Sequence, residues 1–237
     1  MSFEQALTEL ETRGVAVIPN AFDPEQIEGL VHNATEYVAH IERTIKAGSG
    51  PDFPPFYMWW RPGLACNLTA LDPTTRALAI NEFSRTTLCR AVMTGAVQAI
   101  IRSSIGADVG SALVRIRAII PSIGNGDGRL ALHMEKTAVQ FPGVHVIWTP
   151  LVPPGIVTNY DAPGLRFRIG SEFFIPKMRT GDLAIFNGSI EHGTFVPDAA
   201  RHWRVGCDIR IFPWTETNHL PPEAIAMGQR PERLVWP

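Results

Sequence analysis

One pair of residues in an otherwise apolar stretch has the chemistry of a metal site or of a buried ion pair. The run LALHMEKTAV, residues 130–139, places His133 and Glu135 on either side of Met134. In a β-strand these two side chains leave the same face, about 6–7 Å apart along the strand. They can therefore hydrogen-bond as a structural pair or converge on one metal ion. Taken alone, the pattern favours the structural pair.

A metal site needs a third ligand from elsewhere in the chain. The best candidate is His192, which follows the strand-like run LAIFNG and precedes Gly193, a residue that allows close backbone approach. Two histidines and one carboxylate form the facial triad typical of non-haem Fe(II) oxygenases. The remaining histidines are less suited, because they lie in a helix, on the other face of a strand, or among arginines and prolines: His32, His40, His145, His202 and His219.

Three segments together resemble a known enzyme family. They are His133-Met134-Glu135, the segment GDLAIFNGSIEHGT at 181–194, and Arg204, twelve residues after His192. This combination is similar to the phytanoyl-CoA dioxygenase-like (PhyH-like) family of Fe(II)/2-oxoglutarate oxygenases. The segments GVAVIPNAFDPEQIEGL, VIWTPLVPPG and LRFRIGSEF extend the similarity over most of the chain, leaving 48–70 and 213–237 unmatched. The resemblance implies a cupin-like jelly roll, the double-stranded β-helix, with helices packed outside it.

The same resemblance implies roles for individual residues. Three of them would bind Fe(II): His133, Glu135 and His192. Arg204 and Thr194 would bind the distal carboxylate of 2-oxoglutarate, for which a guanidinium offers two parallel hydrogen bonds. The nearest alternatives to Arg204 are Arg201 and Arg210, and Arg210 shares its strand parity.

Three more residues are expected beside the co-substrate. Trp148 matches an aromatic position that flanks 2-oxoglutarate in the family. On the strand before the His-x-Glu motif, Arg115 or Arg117 would assist, and strand alternation is expected to turn only one of them inward.

The chain departs from the family pattern at two places. The proximal carboxylate is Glu135 rather than the commoner Asp, which adds one methylene to the metal arm. The segment that often reads PGSH is IGSE here, and the usual Asn-Gly before it is absent, so the loop at 152–164 is expected to be specialised. A halogenase is disfavoured, because those relatives replace the carboxylate with a small residue.

Hydrophobic patterns predict one mainly β domain over residues 1–237 with flanking helices. Helices are expected in the N-terminal part, to about residue 106: near 3–12 ending at Gly14, from Asp23-Pro24 onward, and over roughly 73–105. A β core at about 110–213 follows, and the tail at 213–237 is expected to be irregular. Because no long helical pattern separates the β-like runs, we expect an antiparallel arrangement.

Two regions are candidates for substrate contacts. The segment FPPFYMWWRPG is either a packed aromatic loop or a lid that brings Trp59, Trp60 and Arg61 to the substrate. Arg166 and Arg168 share one face of a predicted strand, which would be turned either to solvent or to an anionic substrate.

Composition excludes several classes of protein. With 237 residues, a formal net charge of −2 and no block of like charges, the chain has no nucleic-acid footprint. It has no apolar run long enough for a membrane helix and no signal-peptide pattern. Its three cysteines are scattered and are expected to be reduced, which favours a cytoplasmic protein, monomeric or homodimeric.

The resemblance thus implies an oxygenase using Fe(II), O2 and 2-oxoglutarate, with ascorbate as an additive in vitro. It would most simply hydroxylate a small polar or anionic metabolite and release succinate and CO2. Two alternatives stay open from the residues: a catalytically inactive jelly-roll binding protein, and a Zn- or other metal-dependent cupin-like hydrolase or isomerase.

Overall fold

A computed structural model describes most of the β region and parts of the helical region. The described residues are 2–22, 25, 27–29, 31–32, 34–35, 38–39, 95–106, 108–119, 132–135, 143–214 and 232–234. Outside them lie the predicted aromatic loop with Trp59, Trp60 and Arg61, the helix start at Asp23-Pro24, and residues 73–94 of the second predicted helical region. The side chains of Arg115 and Arg117 also lie outside the description, although their backbone is within it.

Helix α1 (Phe3–Arg13) begins and ends where the sequence predicts. The Ser2 hydroxyl accepts from the backbone N–H of Gln5, and the Gln5 side chain accepts from the backbone of Ser2, which completes a capping box. Gly14 ends the helix with φ of 74° and leads directly into the first strand. A second described helix, α2 (Gly95–Ser104), precedes the β core, and the described residues between 25 and 39 are helical as well.

The described strands form two antiparallel sheets. They are β1 (Val15–Ile18), β2 (Val109–Ile119), β3 (His145–Leu151), β4 (Gly164–Ile169), β5 (Glu172–Phe174), β6 (Leu183–Asn187), β7 (His192–Phe195), β8 (Arg204–Pro213) and β9 (Glu232–Leu234). The larger sheet has the order β1-β6-β3-β8-β2-β9, and the smaller has the order β5-β4-β7. From β5 to β8, successive strands alternate between the smaller and the larger sheet, as in a jelly roll.

Two apolar layers hold this arrangement together. One lies between the larger sheet and the helices and contains alternate residues of β8, namely Val205, Cys207, Ile209 and Ile211. The other lies between the two sheets, where Phe167 of β4 packs edge-on against Phe186 of β6 at 5.0 Å between ring centroids. Because side chains alternate along a strand, the even-numbered residues of β8 face this inter-sheet space.

The structure confirms the predicted mainly β, jelly-roll class with helices outside the core and corrects several local predictions. The run LRFRIGSEFFIP is two strands separated by a turn at Gly170, where φ is 61°. His192 does not simply follow a strand but begins β7, which was not predicted. Three residues of the tail, Glu232–Leu234, pair with β2 instead of being irregular.

Asn159 anchors the loop at 152–164, which the sequence predicts to be specialised. Asn159 has φ of 61°, and its side-chain amide donates to the carbonyls of Leu165 and Pro176 at 2.8 and 2.7 Å. A Cβ on Gly164 would lie 2.2 Å from the Asn159 side chain, so a glycine is required for this approach. The loop therefore has a defined anchor beside the first residue of β4.

The helices of the described part of the chain do not have both the length and the apolar character needed to cross a membrane.

Candidate metal centre

The backbone brings the two candidate histidines together. His133 and His192 form an antiparallel bridge in which each backbone N–H donates to the other's carbonyl at 2.9 Å. On its other side, His192 is in register with Phe167 of β4. His133 therefore continues the smaller sheet beyond β7, although residues 132–135 form a single bridge rather than the regular strand that the sequence predicts.

The carboxylate of Glu135 lies near the same point, beside the turn between β6 and β7. The backbone N–H of Glu135 donates to the carbonyl of Gly188 at 2.9 Å, which anchors this residue beside that turn. Its Oε1 lies 3.5 Å from Nε2 of His192. One ligand atom from each of the three residues lies within 4.8 Å of the others, and Glu135 and His192 are buried.

The donor set fits a divalent transition metal. His192 Nδ1 lies 3.0 Å from the carbonyl of Ile190, which accepts a hydrogen bond when Nδ1 carries the proton. Nε2 is then the free lone pair, and it faces Glu135. The ring of Phe186 packs 4.7 Å from the His192 ring, so the histidine has an apolar wall behind it. Two imidazoles and one carboxylate on one side leave the opposite side open for further ligands.

A buried arginine belongs to this centre as well. Arg210 of β8 donates from one guanidinium nitrogen to Glu135 Oε1 and from the other to Asp208 Oδ2. All three side chains are buried. Burial by itself would lower the pKa of Arg210, but the two carboxylates outweigh it and raise this pKa above its ordinary value.

Six residues earlier on β8, Arg204 occupies a different environment. It is only 1% exposed, and its guanidinium carbon lies 5.4 Å from the centroid of the Trp148 ring. A Cβ on Gly206 would lie 2.7 Å from Nη1 of Arg204 and 2.8 Å from Nε1 of Trp148. The absence of a side chain at Gly206 therefore lets the arginine lie along its own strand and meet the tryptophan.

Thr194 lies on β7 with the same orientation as His192. It is buried, it follows His192 by two residues, and it is in register with Leu165, a member of the inter-sheet core. Its position in a strand rules out the simple turn role that a threonine after His-Gly could have had.

The register also bears on the two arginines of β2. Arg115 lies opposite Asp208, and Arg117 lies opposite Gly206. Residues two positions apart in a regular strand share a face, so alternation alone does not choose between Arg115 and Arg117.

Three further arginines of the described part are not brought to the triad, namely Arg166, Arg168 and Arg201. Arg168 pairs with Glu191 at 3.1 Å, and both Arg166 and Arg168 lie near the exposed ring of Phe173. Register places Arg166 opposite Gly193, so it leaves β4 on the side away from Leu165 and Phe167. Arg201 is exposed and donates to the backbone carbonyls of Asp198 and Ala200.

Sequence reasoning missed Asp208 altogether and treated Arg210 only as a competitor of Arg204. The signal was present in the strand parity of RVGCDIR, where Asp208 and Arg210 alternate with buried apolar residues. Two charged residues of opposite sign on the inner face of a core strand predict a buried ion pair.

Comparison with solved structures finds several with a similar fold. A nickel complex of the non-haem monooxygenase ThoJ matches with a TM-score of 0.59 and 14% identity, covering 88% of this chain and 77% of that one. EctD from S. alaskensis, with 2-oxoglutarate and 5-hydroxyectoine, matches with a TM-score of 0.60 and 12% identity over 93% and 78% of the two chains.

A third match is the epimerase SnoN in complex with Fe3+, α-ketoglutarate and nogalamycin RO. Its TM-score is 0.55 at 13% identity, covering 94% of this chain and 88% of that one. No family model matches the chain, and no curated protein matches it. At these identities the comparisons establish a shared fold, and the chemistry has to be argued from the residues of this chain.

Proposed function

We propose that this protein is a non-haem Fe(II)/2-oxoglutarate-dependent oxygenase of the phytanoyl-CoA dioxygenase-like group. The observation that carries the proposal is the convergence of His133, Glu135 and His192 within 4.8 Å inside a jelly roll. Three solved structures with this fold are described as a monooxygenase, a 2-oxoglutarate complex and an iron-containing epimerase, which supports the same class of chemistry.

The three ligands would hold Fe(II) on one side, from Nε2 of His192, a ring nitrogen of His133 and a Glu135 oxygen. When bound there, iron would supply the redox chemistry with O2 and 2-oxoglutarate that oxidises a substrate C–H bond and yields succinate and CO2. The apolar wall formed by Phe167 and Phe186 would keep water from that side of His192.

Arg204 is our candidate for the residue that binds the distal carboxylate of 2-oxoglutarate. It is a buried cation at one end of β8, on the face that also carries the metal-side residues. Trp148 would fix the plane of the guanidinium, and Thr194 would add a hydroxyl hydrogen bond from β7. The proposed role of Arg115 or Arg117 beside the co-substrate stays a prediction, because it depends on side chains outside the described part.

For the substrate we propose a small polar or anionic metabolite, and hydroxylation as the default outcome. The small molecules named in the EctD and SnoN structures support this class. Because SnoN is described as an epimerase, epimerisation is the second outcome to examine.

The experiment is a two-stage titration of purified, metal-depleted protein. Mn(II) is titrated first, and 2-oxoglutarate is then titrated into the Mn(II) complex, both by calorimetry under anaerobic conditions. Fe(II), ascorbate, O2 and a panel of small polar metabolites follow, with succinate as the product measured. The matched control is His192→Ala, which removes one ligand from the end of a strand.

The outcomes separate the candidate functions. We expect Mn(II)-dependent binding of 2-oxoglutarate, and substrate-dependent succinate formation that His192→Ala abolishes. A protein that binds neither metal nor 2-oxoglutarate would be an inactive jelly-roll binding protein. Metal binding with hydrolase or isomerase activity that is indifferent to Arg204→Met would favour the cupin-like alternative, since that chemistry needs no co-substrate arginine.

A further inference from the structure

We propose that Arg210 is the positioning residue of the metal centre, turning the Glu135 carboxylate toward the two histidines and holding the Asp208 carboxylate away from the metal. This inference rests on the proposed function, because it assigns Arg210 its role in relation to a bound metal ion.

The geometry of the guanidinium carries the proposal. Arg210 contacts Glu135 through one terminal nitrogen and Asp208 through the other. A guanidinium is planar and its nitrogens diverge at fixed angles, so two carboxylates bound to different nitrogens are fixed relative to each other. Arg210 is fully buried at the inner face of β8, where the strand itself limits its movement. The Arg210 side chain therefore holds the carboxylates of Glu135 and Asp208 in fixed positions relative to each other.

Charge explains why an arginine is needed between Glu135 and Asp208. Glu135 and Asp208 are 5% and 6% exposed, so both carboxylates are buried. Arg210 donates to both and carries a permanent positive charge between them, which offsets the cost of burying two acids. The described ligand cluster contains Glu135 but not Asp208.

This role also accounts for the unusual glutamate. Compared with an aspartate, Glu135 has one more rotatable bond, and a longer arm must be immobilised before it can bind metal with defined geometry. Its backbone is anchored to Gly188 and its carboxylate to Arg210, so both ends of the side chain are held. Partners that orient a metal ligand in this way are typically worth about 10- to 100-fold in metal affinity.

The test compares Asp208→Asn with the double variant Arg210→Met/Asp208→Asn. Asp208→Asn keeps an oxygen that accepts from Arg210 and keeps Arg210 on Glu135, so its Mn(II) affinity should stay within about threefold of wild type. In the double variant, Asp208 no longer carries a charge that needs Arg210, and the Met side chain fills part of the space. Mn(II) affinity is measured by electron paramagnetic resonance of the free ion, and the stability of the metal-free proteins by thermal unfolding.

We expect the double variant to bind Mn(II) at least about tenfold more weakly than Asp208→Asn. Its metal-free melting temperature should be lower than that of Asp208→Asn, because the buried Glu135 loses its guanidinium partner. Equal Mn(II) affinities in the two variants would overturn the inference. If near-UV circular dichroism shows that the double variant is unfolded, Arg210→Lys decides, because it keeps the charge but lacks the planar group that fixes two carboxylates relative to each other. It should then bind Mn(II) more weakly than wild type, and unchanged affinity would again overturn the inference. Failure of the wild-type protein itself to bind Mn(II) would instead refute the proposed function.

Discussion

The two ends of β8 carry buried arginines in contrasting surroundings. Arg210 lies between two carboxylates, one of which belongs to the candidate metal triad. Arg204, on the same face and six residues earlier, lies over Trp148 in a space that Gly206 keeps open. Both are at most 1% exposed. Burial therefore does not distinguish them, and their partners do.

We propose that the two arginines serve different ligands. Arg210 donates to two protein carboxylates, one of which is Glu135, and we assign it to the metal end of the site. Arg204 lies over the Trp148 ring, and we propose that its guanidinium binds the ligand carboxylate. The following predictions test this division, beginning with the largest expected effect.

Removing a candidate metal ligand should abolish metal binding at the site. For His133→Ala we expect Mn(II) affinity to fall by more than the roughly 100-fold that the loss of an outer hydrogen-bonding partner can cost. Calorimetry with Mn(II) measures this. His202→Ala is the control, because His202 is exposed and lies outside the triad. Unchanged Mn(II) affinity in His133→Ala would show that His133 does not bind the metal. The clustered side chains would then have a structural role.

Removing Arg204 should affect the co-substrate and spare the metal. A buried charge pair truncated on one side typically costs 2–5 kcal/mol, so Arg204→Met should weaken 2-oxoglutarate binding to the Mn(II) protein by about 100-fold. Mn(II) affinity should stay near the wild-type value. Arg201→Met, at the exposed arginine three residues earlier, is the matched control. Loss of Mn(II) binding in Arg204→Met would contradict the proposal that Arg204 serves the co-substrate and Arg210 serves the metal.

Filling the space at Gly206 should have a smaller effect in the same direction. A Cβ there would meet both Arg204 and Trp148 below 3 Å, so Gly206→Ala should displace the guanidinium. We expect about a tenfold loss of 2-oxoglutarate affinity, corresponding to about 1.4 kcal/mol, with Mn(II) affinity unchanged. Titration of 2-oxoglutarate into the Mn(II) complex measures it. Wild-type affinity would mean that Arg204 does not bind the co-substrate from its present position.

Thr194 tests the proposed co-substrate end of the site, where Arg204 lies. Thr194→Val keeps the shape of the side chain and removes the hydroxyl, so it should cost the roughly 1 kcal/mol of one hydrogen bond, about fivefold in 2-oxoglutarate affinity. Thr194→Ser, which keeps the hydroxyl, should restore most of that loss. If the serine and valine variants bind 2-oxoglutarate equally, Thr194 contributes by packing alone.

The smallest effect concerns a histidine on the other side of the larger sheet. Burial lowers the pKa of His145 below its ordinary value, against the opposing effect of a hydrogen bond to the Gly143 carbonyl. The unfolded chain therefore binds this proton more readily. Stability should fall as the pH drops below about 6.5, by at most about 1.4 kcal/mol per pH unit. Urea unfolding at pH 7.5 and pH 5.5 measures it, and His145→Gln should reduce this difference.

Periodic and local signals predicted much of the fold correctly. Continuous apolar runs marked β3 and β6, alternating apolar residues marked β8, and a glycine marked the end of α1, because these signals depend on neighbours a few residues apart. The strand β7 was missed, because its four residues HGTF have no alternation of their own and form a strand only by pairing with β4 and with His133. Short strands of this kind are defined by their partners.

The same distinction between local sequence signals and contacts distant in the chain applies to the candidate site. The sequence supplied the residue types, and through the family resemblance His-x-Glu, a downstream histidine and a later arginine indicated a metal and a co-substrate carboxylate. Only the tertiary structure showed which groups surround each arginine. Arg204 and Arg210 have the same parity and the same burial, and they differ in the groups that other strands and the turn after β6 bring to them. Electrostatic roles depend on distances between segments far apart in the chain, and no periodicity within one segment encodes those distances.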